Sequence, residues 1–254
     1  MFSFQSYASS HTGLKRTSNE DNYLVGTEIG VSKDLLTQCG ALYAVADGMS
    51  GHAAGQVASQ IAVATLKEYY IQPNLSLPPL KRLEALFQDA HKKILTAARY
   101  NSLYKGMGTT LTAIVLKENQ LYYAHIGDSR LYLIAGDTGN PRQITRDHTL
   151  VARYLREGKL SAQEAEDEDP SVLEQALGFN REVQVDVGQF EIKAGDYLIL
   201  ATDGLTKSLP PSKIKTVILN SRNAADACKK LTRRAIDNGG IDDITVIVIE
   251  VLEE

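Results

Sequence analysis

Apolar positions along the chain change their period several times. Leu42 to Ala46 (LYAVA) is a continuous apolar run and predicts a short buried strand. From Ala53 the period becomes helical: Val57, Ile61 and Ala64 share one side, with Ala54, Ala58 and Ala62 packed between them. QPNLSLPP, Gln72 to Pro79, interrupts the pattern, and its proline pair ends any preceding helix. A second helix is predicted over Leu80 to Ala98, with Leu83, Leu86, Phe87, Ala90, Ile94 and Ala97 as its apolar stripe.

Strand patterns then follow in quick succession at Thr109 to Leu116, Leu121 to Ile126 and Leu131 to Ile134. The intervals between them, KENQ (Lys117 to Gln120) and GDSR (Gly127 to Arg130), are turn-sized. A parallel connection needs a dozen or more residues, so these three strands are expected to form an antiparallel meander. Further strands are expected at Val183 to Val187, Tyr197 to Thr202 and Thr245 to Glu250. Helices over Pro211 to Asn220 and Asn223 to Asn238 lie between the last two, with Asn223 as the cap of the second and Asp226 in its first turn. Regular βαβ alternation is absent. The expected class is α+β, with mostly antiparallel sheets stacked on each other and helices outside. Neither the proline break nor the acidic run EAEDED (Glu164 to Asp169) separates two self-sufficient compositions, so residues 1–254 read as one domain.

Hydrophobic residues make up 43 % of 254, enough for a core and too many for disorder. With 27 Lys+Arg against 31 Asp+Glu, the formal net charge is -4, which offers no positive face for nucleic acid. No stretch approaches the roughly 20 apolar residues of a membrane span. The start, MFSFQSYASSHTGLKR, has no apolar core after a basic head, so no signal peptide is expected. Cys39 and Cys228 are the only cysteines and form no paired motif, which suits a reducing, cytoplasmic setting.

The chemical signal is the placement of carboxylates at strand ends. Asp47 follows AVA, Asp128 follows YYAHIG, Asp203 follows YLILAT, Asp242 and Asp243 precede ITVIVIE, and Glu20 and Asp21 precede the YLV run. An Asp beside Gly is by itself a turn former. Four strand edges that each carry one are better explained by convergence on a cation, because converging carboxylates repel one another. All-oxygen donors suit hard ions such as Mg²⁺ or Mn²⁺. The five histidines have no HExxH spacing, so zinc is poorly supported. Ser50 in GMSGH is not a nucleophile elbow, KGMGTT lacks the lysine of a phosphate loop, and no GxGxxG occurs. Met49 stands where an aspartyl-phosphate enzyme would place its second Asp. GDS at Gly127 to Ser129 is followed by Arg130, and no histidine follows His148, unlike the Gly-Asp-Ser-Leu lipases.

Eight segments in order carry a family resemblance: RTSNED from Arg16, VADGMSGHAAG from Val45, GMGTT from Gly106, HIGDSRLYL from His125, ITRDHTL from Ile144, QALG from Gln175, GDYLILATDGLT from Gly195 and GGIDDITVIVI from Gly239. The chain resembles the compact bacterial form of the PP2C (PPM) metal-dependent protein serine/threonine phosphatases over nearly its whole length. The resemblance implies a four-layer α-β-β-α sandwich of two antiparallel sheets flanked by helices. It implies hydrolysis of phosphoserine and phosphothreonine by a hydroxide activated between two Mg²⁺ or Mn²⁺ ions, with no covalent phospho-enzyme. By motif match Asp47 would bridge the ions, the Gly48 carbonyl would ligate one, and Asp203 and Asp242 would hold the other. Glu20 and Asp21 would act through waters, and Asp128 with Asp203 would contribute to a third, weaker site. Arg16 would grip the phosphate.

Eukaryotic relatives often carry a histidine after the metal Asp-Gly, where this chain has Met49, so His52 through water, or water alone, is left to protonate the leaving oxygen; His52 fits a structural role equally well. Ser50 and Asp243 replace the usual Gly and Asn without removing a ligand. His148 to Gly178 matches the family's flap, here with the acidic run in place of its usual histidine and basic neighbours. The implied partners are phosphoprotein substrates of a bacterial serine/threonine kinase, with the chain a monomer. A catalytically silent domain of the same fold is the alternative, and the presence of Asp47, Asp128, Asp203 and Asp242 argues against it.

Overall fold

The computed structural model describes residues 2–49, 54–71, 73–136, 139, 141–179 and 182–253. His52 and Ser50 lie outside the described residues. In chain order the strands are β1 (Phe2–His11), β2 (Asn22–Val25), β3 (Ala41–Ala46), β4 (Gly48–Met49), β5 (Gly108–Thr109), β6 (Leu111–Lys117), β7 (Gln120–Ile126), β8 (Arg130–Ile134), β9 (Pro141–Gln143), β10 (Asp186–Glu191), β11 (Tyr197–Ala201) and β12 (Ile244–Glu253). The helices are α1 (Lys33–Cys39), α2 (Ala54–Ile71), α3 (Pro79–Tyr100), α4 (Leu150–Arg156), α5 (Asp203–Ser208), α6 (Pro211–Leu219) and α7 (Ala224–Asp237). Two five-stranded antiparallel sheets result, ordered β1-β12-β11-β8-β9 and β10-β7-β6-β3-β2, with β4 and β5 as a separate short pair.

Alternation of side chains along each strand builds three apolar layers. From β3, Tyr43 and Val45 enter the core between the sheets, where they meet Leu131, Leu198, Leu200, Ile247 and Ile249 from the other sheet. Leu42, Ala44 and Ala46 point the opposite way, onto Ala58 and Ala62 of α2 and Leu83 and Phe87 of α3. On the far side Tyr132, Ile199, Val246 and Val248 pack beneath Leu205, Ile214, Ala227 and Leu231 of α5, α6 and α7. Helix, sheet, sheet and helix are therefore four successive layers, as the motif order implied.

Both long N-terminal helices stand where the apolar stripes put them. α2 ends at Ile71, before the proline break, and Pro79 opens α3 at a position where a missing N–H costs nothing. Asn223 caps α7 by accepting from the Asp226 N–H at 2.9 Å.

The meander is half right. β6 and β7 pair as a hairpin, but β8 pairs with β11 and β9 in the other sheet. GDSR is thus a crossover between sheets: Gly127 takes φ +108°, and the turn carries the chain across instead of back. The strand expected at Val183 to Val187 begins at Asp186 and runs to Glu191, since Val183 is buried but pairs with no strand. The run Thr109 to Leu116 splits into β5 and β6 at Thr110. β1 was not anticipated. Its residues are mostly half-buried and largely polar, and its pairing with the whole of β12, Phe2↔Glu253 to His11↔Ile244, makes it a strand. No described helix is long and apolar enough to cross a membrane.

Candidate metal centre and active site

The acidic strand ends meet at one end of the sandwich. Asp47 leaves β3 of one sheet, Asp203 opens α5 one residue after β11 of the other, and Asp242 stands just before β12. Asp128 lies in the crossover. A cavity of about 270 Å³ is lined by Arg16, Glu20, Asp47, Gly48, Asp128, Asp203 and Asp242, so one hollow brings together nearly all the residues singled out in the sequence. Asp21 is buried behind this wall, where Oδ2 accepts from the Thr202 hydroxyl at 2.8 Å.

Backbone hydrogen bonds fix Asp47. Its N–H donates to Thr110 Oγ1 at 3.0 Å, and its carbonyl accepts from the Thr110 N–H and the Thr109 hydroxyl, both at 2.9 Å. Thr110 in turn shares a 2.7 Å hydrogen bond with Ser129 of the crossover. A Cβ on Gly127 would lie 2.5 Å from Thr110 Cβ, and one on Gly48 would lie 2.2 Å from the Gly55 carbonyl oxygen. The GMGTT, ADGM and GDS segments therefore interlock. On the other side, Asp243 accepts from the Glu20 N–H at 2.8 Å, which ties the N-terminal acidic pair to the root of β12.

Behind the crossover, His125 is fully buried. Its Nε2–H donates to the Arg146 carbonyl at 3.0 Å and its Nδ1 meets the Thr112 hydroxyl at 2.8 Å. Burial, with His148 beside it, pushes its pKa down to about 3, so the ring is neutral. Arg130 and Asp147 form a forked ion pair with contacts of 2.6 to 3.2 Å that holds the ITRDH segment against β8.

Charge crowding marks the centre. Burial, and then Asp203, Asp21 and Asp128, push the Asp47 carboxyl well above its usual range. Burial raises Asp21 in the same way, and burial with Asp203 lifts Asp128 to about 7. One oxygen each of Asp21, Asp203 and Asp243 is buried without a hydrogen-bond partner. Orphaned buried carboxylate oxygens are costly, and an all-oxygen donor set with surplus negative charge fits a hard divalent cation. As the side chains stand, no three His, Cys, Asp or Glu among the described residues are arranged around a single ion position. Two carboxylates are turned instead to cationic side chains: Asp242 to Arg16 and Asp203 to Lys207.

Four further residues line the cavity that the sequence reading gave no role: Thr110, Ser171, Leu173 and Lys207. Thr110 ends the GMGTT motif. Lys207 is one helical turn from Asp203, a relation visible only once α5 is known to start there.

A two-sheet sandwich with a carboxylate-lined cavity at one end is an arrangement whose oxygen donors suit divalent cations. Comparison with known proteins narrows this. The model of the Protein phosphatase 2C family matches residues 30–235. Protein phosphatase PhpP of Streptococcus pneumoniae serotype 2 is 35 % identical over 246 residues, 95 % of each chain. The crystal structure of the Mycobacterium tuberculosis serine/threonine phosphatase PstP/Ppp has a TM-score of 0.85 at 34 % identity, covering 99 % of each chain. A PstP catalytic domain in complex with two manganese ions has a TM-score of 0.84 at 33 % identity over the whole of both chains. The chain belongs to the protein phosphatase 2C family.

Proposed function

We infer that this chain is an active protein serine/threonine phosphatase that removes phosphate from phosphoserine and phosphothreonine in proteins. The observation that carries the reading is the convergence of Asp47, Asp128, Asp203 and Asp242 on one cavity with buried oxygens left unpartnered, in a chain of this family. The silent alternative finds no support, since no carboxylate of the set has been lost.

Asp47, the Gly48 carbonyl, Asp203 and Asp242 would hold two Mg²⁺ or Mn²⁺ ions, with Glu20 and Asp21 acting through waters and Asp128 serving a third, weaker site. When bound, such ions supply Lewis acidity, making a water nucleophilic near neutral pH and neutralising phosphoryl charge. The chain's own residues do the rest. Thr109 and Thr110 fix the Asp47 backbone, so its carboxylate is preorganised. Arg16, at the cavity mouth with a side chain 52 % exposed, carries a planar fork that holds Asp242 and would turn to the phosphate when substrate binds. Met49 carries no proton to donate, so the leaving oxygen takes its proton from water or from His52. Ser171 and Leu173 on the cavity wall support reading residues 148–178 as a flap over the site within a single phosphatase domain. A bacterial cytoplasm, a monomeric state and substrates phosphorylated by a serine/threonine kinase complete the proposal.

The test is phosphate release from a phosphothreonine peptide. Release should require Mn²⁺ or Mg²⁺, stop in EDTA and vanish in Asp47→Asn. Full release by a metal-stripped sample, or none with Mn²⁺ present, overturns the reading.

A further inference from the structure

Lys207 lies in α5 one turn after Asp203, a spacing that brings side chains together on a helix. Its Nζ is 2.5 Å from Asp203 Oδ2, the Lys207 side chain is 29 % exposed and that of Asp203 13 %. Besides the 270 Å³ cavity, Lys207 lines an adjoining one of about 320 Å³ that reaches toward α4, and Asp128 and Asp203 line both. The ammonium therefore stands on the partition between two hollows, with its charge also felt by Asp128 and Asp242. Asp203 remains only half satisfied: Oδ2 has Lys207, while Oδ1 is buried without a partner.

We propose that Lys207 is a tethered counter-ion of the carboxylate centre, holding the ligand oxygen of Asp203 that a divalent cation must take over and so setting how tightly the site binds metal. This rests on the phosphatase reading above. The chemistry of the side chain fits the role. An ammonium is a compact charge on a flexible four-carbon stem, able to swing away when a stronger cation arrives. Arg16, the other cation at the site, spreads its charge over a planar fork and is much more exposed, as a phosphate ligand should be. Lys207 is the less exposed of the two, and its place one helical turn from Asp203 keeps its charge near the carboxylates even when the ammonium swings aside. Two consequences follow. The metal-free chain tolerates its crowded carboxylates better because one is neutralised internally. The same neutralisation weakens the draw on incoming metal, because a positive charge remains next to the ligands. Lys207 is thus a positioning residue for Asp203.

Calorimetric titration of Mn²⁺ into the metal-stripped full chain tests this, with Lys207→Met, Lys207→Gln and Lys207→Arg alongside. Lys207→Met keeps the length and loses the charge. It should bind Mn²⁺ about tenfold more tightly or better, a change of about 1.4 kcal/mol. Its metal-free thermal midpoint should fall and its Mn²⁺-induced rise should exceed that of the unmodified chain. Lys207→Arg should restore the unmodified affinity. Lys207→Gln keeps polar contacts if the methionine variant does not fold, and should also bind more tightly. Unchanged Mn²⁺ affinity in the neutral variants overturns the proposal even if their midpoints fall, because a purely structural ion pair predicts that pattern. If the unmodified chain neither binds Mn²⁺ nor releases phosphate, the phosphatase reading fails and this inference falls with it. Binding without any difference among the variants removes this inference alone.

Discussion

Arg16 reaches Asp242 across 226 residues of sequence, with Nε donating to Oδ1 at 2.7 Å and Nη2 to Oδ2 at 3.0 Å. The loops that carry them are stitched together upstream. The Leu14 N–H donates to the Gly240 carbonyl at 2.6 Å, and Gly13, at φ +73°, lies so close that a Cβ there would be 2.3 Å from the Asp242 carbonyl oxygen. The residue read as the phosphate clamp and a carboxylate read as a metal ligand thus share one anchorage. Freeing the Arg16 fork for phosphate means releasing Asp242, the carboxylate read as taking a cation.

Arg16→Ala should lower kcat/KM at least a hundredfold, with kcat falling as well, because a contact strengthened in the transition state is lost. The thermal midpoint should move little, since a pair this exposed is worth about 0–1 kcal/mol. Arg16→Lys should not restore activity, because a point charge cannot make the forked contact. Steady-state kinetics together with a melting curve decide it; a variant that is mainly unfolded would make Arg16 a structural residue.

Gly127→Ala should damage both fold and site. Its φ of +108° disfavours any Cβ, and the added carbon would collide with Thr110, which holds the Asp47 backbone. A loss of about 2 kcal/mol or more in urea unfolding is expected, together with a drop in kcat beyond what the unfolded fraction explains. Unaltered kcat per folded molecule would show that Asp47 does not depend on the crossover.

His125 predicts how stability responds to acid. Its pKa falls from 6.5 in the unfolded chain to about 3 in the buried site, so the unfolded chain takes up the proton first. The contribution is intact above pH 6.5 and is lost as pH falls toward 3, by about 1.4 kcal/mol per pH unit. His125→Gln, with no titrating group there, should show a shallower decline between about pH 4 and pH 6. Equal slopes in the two proteins, measured by urea unfolding, would place the acid sensitivity elsewhere.

The acidic run Glu164 to Asp169 contains a short 3-10 turn, Glu164–Glu166, and Asp169 is close enough to feel the charge of Lys207. Replacing Glu166, Asp167 and Glu168 by Gln, Asn and Gln should narrow the kcat/KM gap between basic and acidic phosphothreonine peptides several-fold. Hydrolysis of p-nitrophenyl phosphate should stay nearly constant, and high salt should shrink the gap in the unmodified chain. An unchanged peptide ratio would make the run an ordinary solvated surface.

Where the sequence was informative, the physics was local. The stripes of α2 and α3, the Asn223 cap and the buried runs of β3, β7 and β11 depend on neighbours a few residues away, so periodicity exposes them. The family order of the motifs added the layer architecture and all five cavity carboxylates, Glu20, Asp47, Asp128, Asp203 and Asp242, as neighbours. Pairing partners were another matter. Nothing in GDSR says that β8 joins the opposite sheet, because four residues can return a chain or carry it across, and only contact with Thr110 and the β11 edge decides. β1 is a strand through its long-range register with β12. The relation of Lys207 to Asp203 exists only in a helix of six residues that starts one residue after a strand, too short for a hydrophobic period to reveal. Asp21 was right in neighbourhood but faces Thr202, a detail set by side-chain packing.

The crossing at Gly127 has a mechanical side. Asp47 belongs to the end of one sheet, while Asp203 and Asp242 belong to the other, and no residue of the apolar layer between the sheets lines the acidic cavity. Ligands shared across that corner would act as a rivet between two plates otherwise joined by oily contact. Protease attack should then begin at the unriveted corner in chelator and shift elsewhere in Mn²⁺, so that the working lifetime of the molecule follows the supply of the ions it needs for chemistry.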